Sequence, residues 1–217
     1  LNAMFTNCYV FNQPLGEWDI QSATNLSLMM YNCFDFNQDI SSWDTSNVTN
    51  LQQTFYGNNV GTISFNNGNV PLTSSVVTKH GRTYTAWDTQ NVTNFYLLFA
   101  QQKNQGKSHS FNQPIGNWDT SNATNLSSLV QENPNFNQDI SSSVVTVGSR
   151  TYTAWDVSNV INFNSMFYKA DTFNKPIGNW KINTGSNVNF GSLFYSANTF
   201  NQEISSSIVT VGSNTYT

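Results

Sequence analysis

Residues 36–51 read FNQDISSWDTSNVTNL, and residues 111–126 read FNQPIGNWDTSNATNL, so one pattern recurs in two distant parts of the chain. Self-similarity at a short period is typical of repeat architectures. Copies of the pattern open at Phe11, Phe36, Phe65, Phe111, Phe136, Phe173 and Phe200, and their tryptophans are Trp18, Trp43, Trp87, Trp118, Trp155 and Trp180. We therefore predict a single repeat domain over residues 1–217, with about seven repeats of about 25 residues each. We expect this domain to be a segment of a longer array.

Two local signals recur in every copy of the pattern. In Trp43-Asp44-Thr45 the first and third side chains point one way and the second points the other way, as in a short strand. Apolar residues then follow at i, i+3 and i+4 within residues 50–55, a spacing typical of a short helical turn. The Asp-x-Ser-Asn that precedes this turn is suitable for capping it.

A short strand and a short helical turn in each repeat predict an α/β repeat solenoid with leucine-rich-repeat-like geometry. The strands of successive repeats would stack in parallel, and each repeat would cover the apolar faces of its neighbours. Three insertions, each placed before the Trp-Asp position of its repeat, are expected to add β-hairpins to this array.

The motifs over residues 36–51 and 111–126 resemble those of the BspA-like leucine-rich-repeat surface protein family. The resemblance extends along nearly the whole chain. It implies a repetitive microbial surface protein that is secreted or lipid-anchored, is associated with adhesion, and has no catalytic residues to carry over.

The insertions read SSVVTKHGRTYTAWD at 74–88, SSVVTVGSRTYTAWD at 142–156 and SSIVTVGSNTYT at 206–217. Each contains β-branched runs around a two-residue turn, which predicts a tight hairpin with Val145 opposite Tyr152. The candidate interaction residues on the hairpins are Val145, Tyr152, Arg150, Tyr84 and Arg82. The hairpins could instead only cover the edges of the array, or they could pair with strands of a second copy.

Two polar columns accompany the aromatic ones. An asparagine column is expected to stack as a structural ladder that satisfies the turn amides: Asn12, Asn37, Asn66, Asn112, Asn137, Asn174 and Asn201. The aspartates that follow the tryptophans could bind Ca²⁺ between repeats, but no calcium-loop spacing supports this, and helix capping is the favoured role.

Two kinds of covalent modification are candidates. Asn47, Asn91 and Asn122 lie in Asn-x-Ser/Thr sequences at one position of the repeat and would accept glycans in a eukaryotic secretory pathway. Cys8 and Cys33 lie one repeat apart, which could bring them within disulfide range. A small buried residue would serve equally well at that position, because Ala170 and Ala197 occupy it in later repeats.

The composition argues against several classes of protein. Only 9% of the residues are charged and the net charge is −4, so no basic surface for nucleic acid is expected. No apolar stretch is long enough for a membrane span. Neither His80 nor His109 has a partner cluster, and no catalytic or metal-binding motif occurs. We expect no enzyme activity and no cofactor.

These observations favour a non-enzymatic, extracellular surface or filament-forming protein with a structural or adhesive role. Its partners would be further copies of the array, or a surface glycan or protein. The alternative is a glycan- or protein-binding module of a cell-surface adhesin. A weaker alternative is ice binding through the Thr-x-Thr pairs of the hairpins.

Overall fold

A computed structural model describes residues 1–58, 60–102, 108–185, 187–204 and 209–216. Within these ranges the only helix is a three-residue 3-10 helix at Asn67–Asn69, and the strands form three two-stranded antiparallel sheets. The strands are β1 (Ser75–Lys79), β2 (Arg82–Ala86), β3 (Ser143–Val147), β4 (Arg150–Ala154), β5 (Val209–Val211) and β6 (Asn214–Tyr216). The regular secondary structure in the described part of the chain is therefore almost entirely β.

The predicted α/β repeat solenoid of leucine-rich-repeat type is wrong, because no helical turn forms where one was expected. Consecutive four-residue turns take its place. The Met29 N–H donates to the Leu26 carbonyl at 3.1 Å, and the Cys33 N–H donates to the Met30 carbonyl at 3.0 Å. Turns repeated every four residues also place apolar side chains at i, i+3 and i+4, so this spacing did not distinguish them from a helix.

The third residue of each of these turns has a positive φ angle, although none of the turns described here has glycine there. Such a backbone is sterically unfavourable for residues with a Cβ atom, so the surrounding contacts must hold it in place. The residues are Asn7, Leu28, Asn32, Gln53, Leu97, Ser128, Glu132, Ser165, Lys169, Ser192 and Ser196.

Alternate backbone N–H groups of these turns donate to the carbonyls of the following repeat. The Leu26, Leu28 and Met30 N–H groups donate to the Asn50, Gln52 and Thr54 carbonyls at 2.9–3.0 Å. Each pair of neighbouring repeats forms an isolated parallel bridge here, and not the predicted parallel strand. The bridges join Asn25 to Asn50, Asn50 to Asn94, Asn94 to Asn125, Asn125 to Asn162, and Asn162 to Asn189.

Phenylalanine rings fill the centre of the molecule as one continuous column. Consecutive rings of the seven Phe-Asn pairs lie 5.9–6.4 Å apart between centroids. A second ring from the turn segment packs beside several members of this column, as Phe55 does on Phe65 at 3.8 Å and Phe99 on Phe111 at 3.7 Å. This stacking buries the apolar surface that one repeat alone would leave exposed.

The tryptophans form a second column that is also hydrogen-bonded between repeats. The Trp43 Nε1–H donates to the Leu15 carbonyl at 2.9 Å, and the Trp87 Nε1–H donates to the Ile40 carbonyl at 2.8 Å. Trp118, Trp155 and Trp180 make the same bond to the preceding repeat. The indole N–H groups of these five tryptophans are therefore satisfied inside the core, as buried polar groups require.

The aspartate that follows five of the six tryptophans stabilises a turn and not the helix that the sequence predicted. The Asp44 Oδ1 atom accepts the Ser46 N–H at 3.2 Å, and Asp119 accepts the Ser121 N–H at 3.0 Å. Asp19, Asp88 and Asp156 do the same for the residue two positions ahead. These are side-chain turns of the Asx type. They place a row of carboxylates beside the tryptophan column.

Candidate interaction surface

The insertions form hairpins whose two faces differ in chemistry. β1 pairs with β2 and β3 with β4, and Val145 lies opposite Tyr152 as the sequence predicted. The third insertion, predicted over residues 206–217, is described only at 209–216, where β5 pairs with β6. Because side chains alternate along a strand, each hairpin has one face toward the repeats and one face away from them.

The inner face of each of the first two hairpins carries an arginine that bridges aspartates of two successive repeats. The Arg82 Nη1 atom lies 2.8 Å from Asp44 Oδ2, and its Nη2 atom lies 2.8 Å from Asp19 Oδ1. Arg150 makes the same bridge to Asp119 and to Asp88, the latter at 3.1 Å. The guanidinium fork thus joins repeats that the backbone bonds also connect.

Two tyrosines complete the inner faces. The Tyr84 hydroxyl donates to the Ser42 carbonyl at 2.7 Å, and the Tyr152 hydroxyl donates to the Asn117 carbonyl. The Arg150 guanidinium carbon lies 4.2 Å from the centroid of the Tyr152 ring, which is cation–π geometry. Arg82 stands over Tyr84 at 5.0 Å.

These contacts correct the predicted interaction residues. Arg82, Tyr84, Arg150 and Tyr152 bind the protein's own repeats, and Val145 packs against the core. The period-two pattern placed them on one face of their hairpins, but it did not indicate that this face turns inward.

Packing of the hairpins against the repeats changes the pKa values of groups on their inner faces. Burial alone would raise the pKa of Asp44, but hydrogen bonds from Ser46 and Arg82 outweigh it and hold that pKa below its ordinary value. Burial raises the pKa values of Tyr84 and Tyr152. The Asp44 carboxylate is therefore charged, and the phenols of Tyr84 and Tyr152 are neutral, at physiological pH.

The outer faces of the hairpins carry only threonine and valine at their central positions. Thr78 and Thr83 are hydrogen-bonded across the strands at 2.9 Å between hydroxyl oxygens, and Thr146 and Thr151 repeat the pair at the same distance. Val76 and Val144 are each 48% exposed beside these pairs. Because side chains alternate along a strand, Thr146 and Thr151 lie on the face opposite to Val145 and Tyr152.

Successive hairpins contact one another. A Cβ atom added at Gly148, in the turn of the second hairpin, would lie 2.9 Å from the Val76 Cγ2 atom of the first. A Cβ atom at Gly212 in the third hairpin would lie 2.5 Å from Val144 Cγ2. The outer threonines and valines therefore form one uncharged band, which we call the hairpin face: Val76, Thr78, Thr83, Val144, Thr146, Thr151, Thr210 and Thr215.

The third hairpin differs in its charges. Asn214 occupies the position of Arg82 and Arg150, and Lys181 follows Trp180 where the other repeats have aspartate. A polar cavity of about 370 Å³ lies beside this hairpin, and its lining includes Asp156 and Lys181. The third hairpin thus lacks the arginine of the first two, and the neighbouring position in the row of aspartates is occupied by a lysine.

The predicted asparagine column is one hydrogen-bonded chain in which each side chain acts as an acceptor. The Asn12 Oδ1 atom accepts the Asn37 N–H at 3.0 Å, and the Asn112 Oδ1 atom accepts the Asn137 N–H at 2.9 Å. The same bond links Asn37 to Asn66, Asn66 to Asn112, Asn137 to Asn174, and Asn174 to Asn201. The column joins consecutive repeats through their turn amides.

The three candidate glycosylation sites lie exposed in a second asparagine column. Here the side chain acts as a donor, because Nδ2 of Asn47, Asn91 and Asn122 donates to a carbonyl of the preceding repeat at 2.7–2.9 Å. Each modification site therefore also joins two repeats.

Cys8 and Cys33, the candidate disulfide pair, are both free thiols. The Cys33 sulfur donates to the Phe5 carbonyl at 3.1 Å, so the main chain of the first repeat satisfies it. Burial, together with the nearby Cys8, raises the pKa of the Cys33 thiol to about 12. The Cys33 side chain is therefore protonated and unreactive at neutral pH.

Sequence reasoning missed the structural role of His109. The Phe111 N–H donates to its Nδ1 atom at 3.1 Å, so the ring proton is on Nε2, which lies 2.9 Å from the Phe55 carbonyl. Burial lowers the pKa of His109 to about 3. This neutral, fully buried histidine therefore anchors the segment that precedes Phe111 to the phenylalanine core.

Within the ranges that the structure describes, no helix is long and apolar enough to cross a membrane, and no cluster of three or more His, Cys, Asp or Glu side chains could hold a metal ion. The chain is a repeat protein whose neighbouring repeats share backbone, asparagine and tryptophan hydrogen bonds. It belongs to the family described as "Mycoplasma protein of unknown function, DUF285", whose model matches residues 1–80 and 71–207. No curated protein and no solved structure was found to match it.

Proposed function

We propose that the chain is a non-enzymatic structural or adhesion protein of the extracellular surface that is able to form filaments. The observation that carries this proposal is the use of polar side chains. The asparagine columns, the tryptophans and the hairpin arginines all bond from one repeat to another. Such non-covalent bonds between repeats suit a structural protein that bears mechanical force along its length.

Two further points support a place at the cell surface. The motifs over residues 36–51 and 111–126 resemble those of BspA-like surface proteins. The hairpin face is uncharged and depends on hydroxyl and methyl groups, so its hydrogen bonds would change little with ionic strength outside a cell.

Labelling of intact cells of the source organism tests this location. Antibodies against the 217-residue chain should label intact and permeabilised cells alike, and external protease should remove the signal. A cytosolic protein of the same cells is the control for membrane integrity. Labelling that requires permeabilisation would contradict the proposal.

A second candidate function is binding of a surface glycan or protein, and the exposed hairpin face favours it. The purified chain should then bind members of a glycan array or immobilised surface proteins. Thr146→Glu should reduce that binding at least tenfold. Thr124→Glu is the matched control, because Thr124 is exposed on a repeat and not on a hairpin. A blank array, or equal loss with both variants, would count against this function.

A further inference from the structure

The first two hairpins each have an unpaired edge along their first strand. In the described part of the chain, β1 pairs only with β2, and β3 pairs only with β4. His80 and Gly81 both have positive φ, which is typical of a two-residue hairpin turn of type I′. The residues next to such a turn exchange hydrogen bonds, and bonded pairs then alternate with non-bonded pairs. Thr78 and Thr83 are therefore a non-bonded pair, which agrees with the distance of 2.9 Å between their hydroxyl oxygens.

The backbone N–H and C=O groups of alternate residues on this edge point away from the hairpin. On β1 these residues are Val76 and Thr78, and on β3 they are Val144 and Thr146. Within the described ranges, none of these groups is hydrogen-bonded to backbone outside its own hairpin. All four residues are exposed. A strand edge with unpaired groups is a template for the addition of another strand.

The edge lacks the features by which proteins commonly prevent such addition, which are proline, outward charge and bulges. β1 and β3 contain no proline, and their pairing with β2 and β4 is continuous. The one charged residue on these two strands is Lys79, whose Nζ atom donates to the Gly16 carbonyl at 2.7 Å on the inner side of the hairpin. The exposed side chains of the edge are valine and threonine, which both favour strands.

The opposite edge, along β2, is less accessible because the turn of the second hairpin lies beside it. A groove of about 250 Å³ separates this turn from the first hairpin. Three of the first-hairpin residues that line the groove belong to β2 and one belongs to β1: Thr83, Tyr84, Thr85 and Val76. The turn therefore lies nearer to β2, and the edge formed by β1 and β3 is the one that a partner can reach.

The row of hairpins runs along a corner of the molecule. Each hairpin is inserted where other repeats have a tight turn, at 16–17 and 41–42 for example, and it lies over these turns of earlier repeats. Lys79 donates to the Gly16 carbonyl, and the Tyr84 hydroxyl donates to the Ser42 carbonyl. Both hairpins belong to internal repeats and their edge faces sideways, so a further repeat at either end of the array would not cover it.

A second copy of the chain is complementary to this edge. If β3 lies antiparallel to β1 of the copy, Val144 is opposite Thr78 and each outward N–H meets a carbonyl. Thr146 is then opposite Val76. A two-fold axis between the hairpins forms two such contacts at once, because the first hairpin of each copy meets the second hairpin of the other. The strands of the copy are already ordered in their hairpins, whereas an extended peptide would lose conformational entropy on binding.

We propose that two copies of this chain associate side by side through the β1 and β3 edges of their first and second hairpins. Each contact joins two hairpins into one four-stranded antiparallel sheet. The inference rests on the proposed structural role and names a second copy as the partner. Its consequence is lateral pairing of arrays, in addition to the bonds that join repeats along each array.

Proline substitutions on the edge test this contact. The unmodified chain should show a mass that rises toward that of a dimer with concentration in sedimentation velocity. The double variant Thr78→Pro/Thr146→Pro removes an outward N–H group from each hairpin and should weaken self-association about tenfold or more. Proline is suitable at these positions because the N–H that it removes has no partner within the hairpin.

Thr83→Pro/Thr151→Pro is the matched control, because these exposed residues pair with Thr78 and Thr146 but lie on the opposite edge. It should associate like the unmodified chain, and urea unfolding should show that the repeats of both variants remain folded. A chain that stays monomeric at all concentrations, or equal weakening in the two double variants, would overturn the proposal. Neither result would affect the surface labelling of cells, so the two proposals can fail separately.

Discussion

Asparagine has two opposite hydrogen-bonding roles at two positions of the repeat. In the column of Asn112 and Asn137 the side-chain oxygen accepts a backbone N–H, whereas in the column of Asn122 the side-chain nitrogen donates to a carbonyl. Aspartate can replace the first role, since it keeps both acceptor oxygens, but it cannot replace the second. Replacement of asparagine by aspartate should therefore be tolerated in the first column and destabilising in the second.

We predict that Asn137→Asp leaves stability nearly unchanged at neutral pH. Asn122→Asp should lose about 1 kcal/mol, because a donor is replaced by an acceptor that faces the Gln90 carbonyl. Urea unfolding followed by tryptophan fluorescence measures both effects. Asn137→Leu, which removes the acceptor, is the control and should also be destabilising. Equal losses in the two aspartate variants would contradict the assignment.

His109 predicts a loss of stability in acid. The pKa is about 6.5 in an unfolded chain and about 3 in the folded protein, so below pH 6.5 the unfolded chain binds a proton that the folded chain does not. The contribution of neutral His109 to the free energy of unfolding is complete above pH 6.5. It falls by about 1.4 kcal/mol per pH unit until the pH approaches 3.

Unfolding free energies between pH 7 and pH 4 check this slope. His109→Gln should flatten the curve by removing the ionisable ring. His80→Gln should leave it unchanged, because His80 lies exposed in a hairpin turn. A curve that is unaltered in His109→Gln would show that other groups cause the acid sensitivity.

At the scale of the hairpin, the arginine bridge predicts a strong coupling to the buried aspartate. Arg150→Met should destabilise the protein by roughly 1–3 kcal/mol, because it leaves the nearly buried Asp119 carboxylate without its cation. Asp119→Asn in the same chain should recover part of this loss. A double-mutant cycle from urea unfolding gives the coupling, and additive effects would mean that the bridge contributes little.

The contact between hairpins predicts different tolerance at two turn glycines. Gly81 and Gly148 both have positive φ, but an added Cβ atom meets nothing within 4 Å at Gly81 and meets Val76 at Gly148. Gly81→Ala should therefore cost only the backbone strain, about 1 kcal/mol. Gly148→Ala should cost more, and Val76→Ala in the same chain should remove the excess. Thermal unfolding of these three variants and of Val76→Ala alone provides the comparison.

At the scale of the whole molecule, the phenylalanine column predicts that the stability lost when one ring is removed depends on where that ring lies along the column. Phe136 is fully buried between Phe111 and Phe173, whereas Phe11 is partly exposed and has one neighbour in the column, Phe36. Phe136→Ala should cost about 3–5 kcal/mol. Phe11→Ala should cost less than half as much, and hydrogen exchange should show the loss confined to the first repeats.

The sequence predicted the components of the repeat better than their secondary structure. Recurrence of Phe-Asn and of Trp in successive copies of the pattern was enough to expect side-chain columns, and the turn residues at 148–149 were enough to expect a hairpin. The helical turn was wrong because Leu26, Met29, Met30 and Cys33 have a spacing that four-residue turns share. The direction of Arg150 was missed because it depends on aspartates of the two preceding repeats, Asp119 and Asp88, which local alternation does not reveal.

The common direction of the bonds between repeats has an electrical consequence. In a parallel sheet successive peptide groups point in opposite directions and their dipoles largely cancel. In the turn segments, such as residues 26–33, the peptide groups that link repeats direct N–H toward later repeats, while the intervening N–H groups close turns within a repeat. A smaller number outside these segments, such as those of Thr93 and Trp155, point back to the preceding repeat. The dipoles of the turn segments therefore add along the molecule, as they do in a helix, with the positive pole at the later repeats. The protein should orient in an electric field, and transient birefringence would record that alignment.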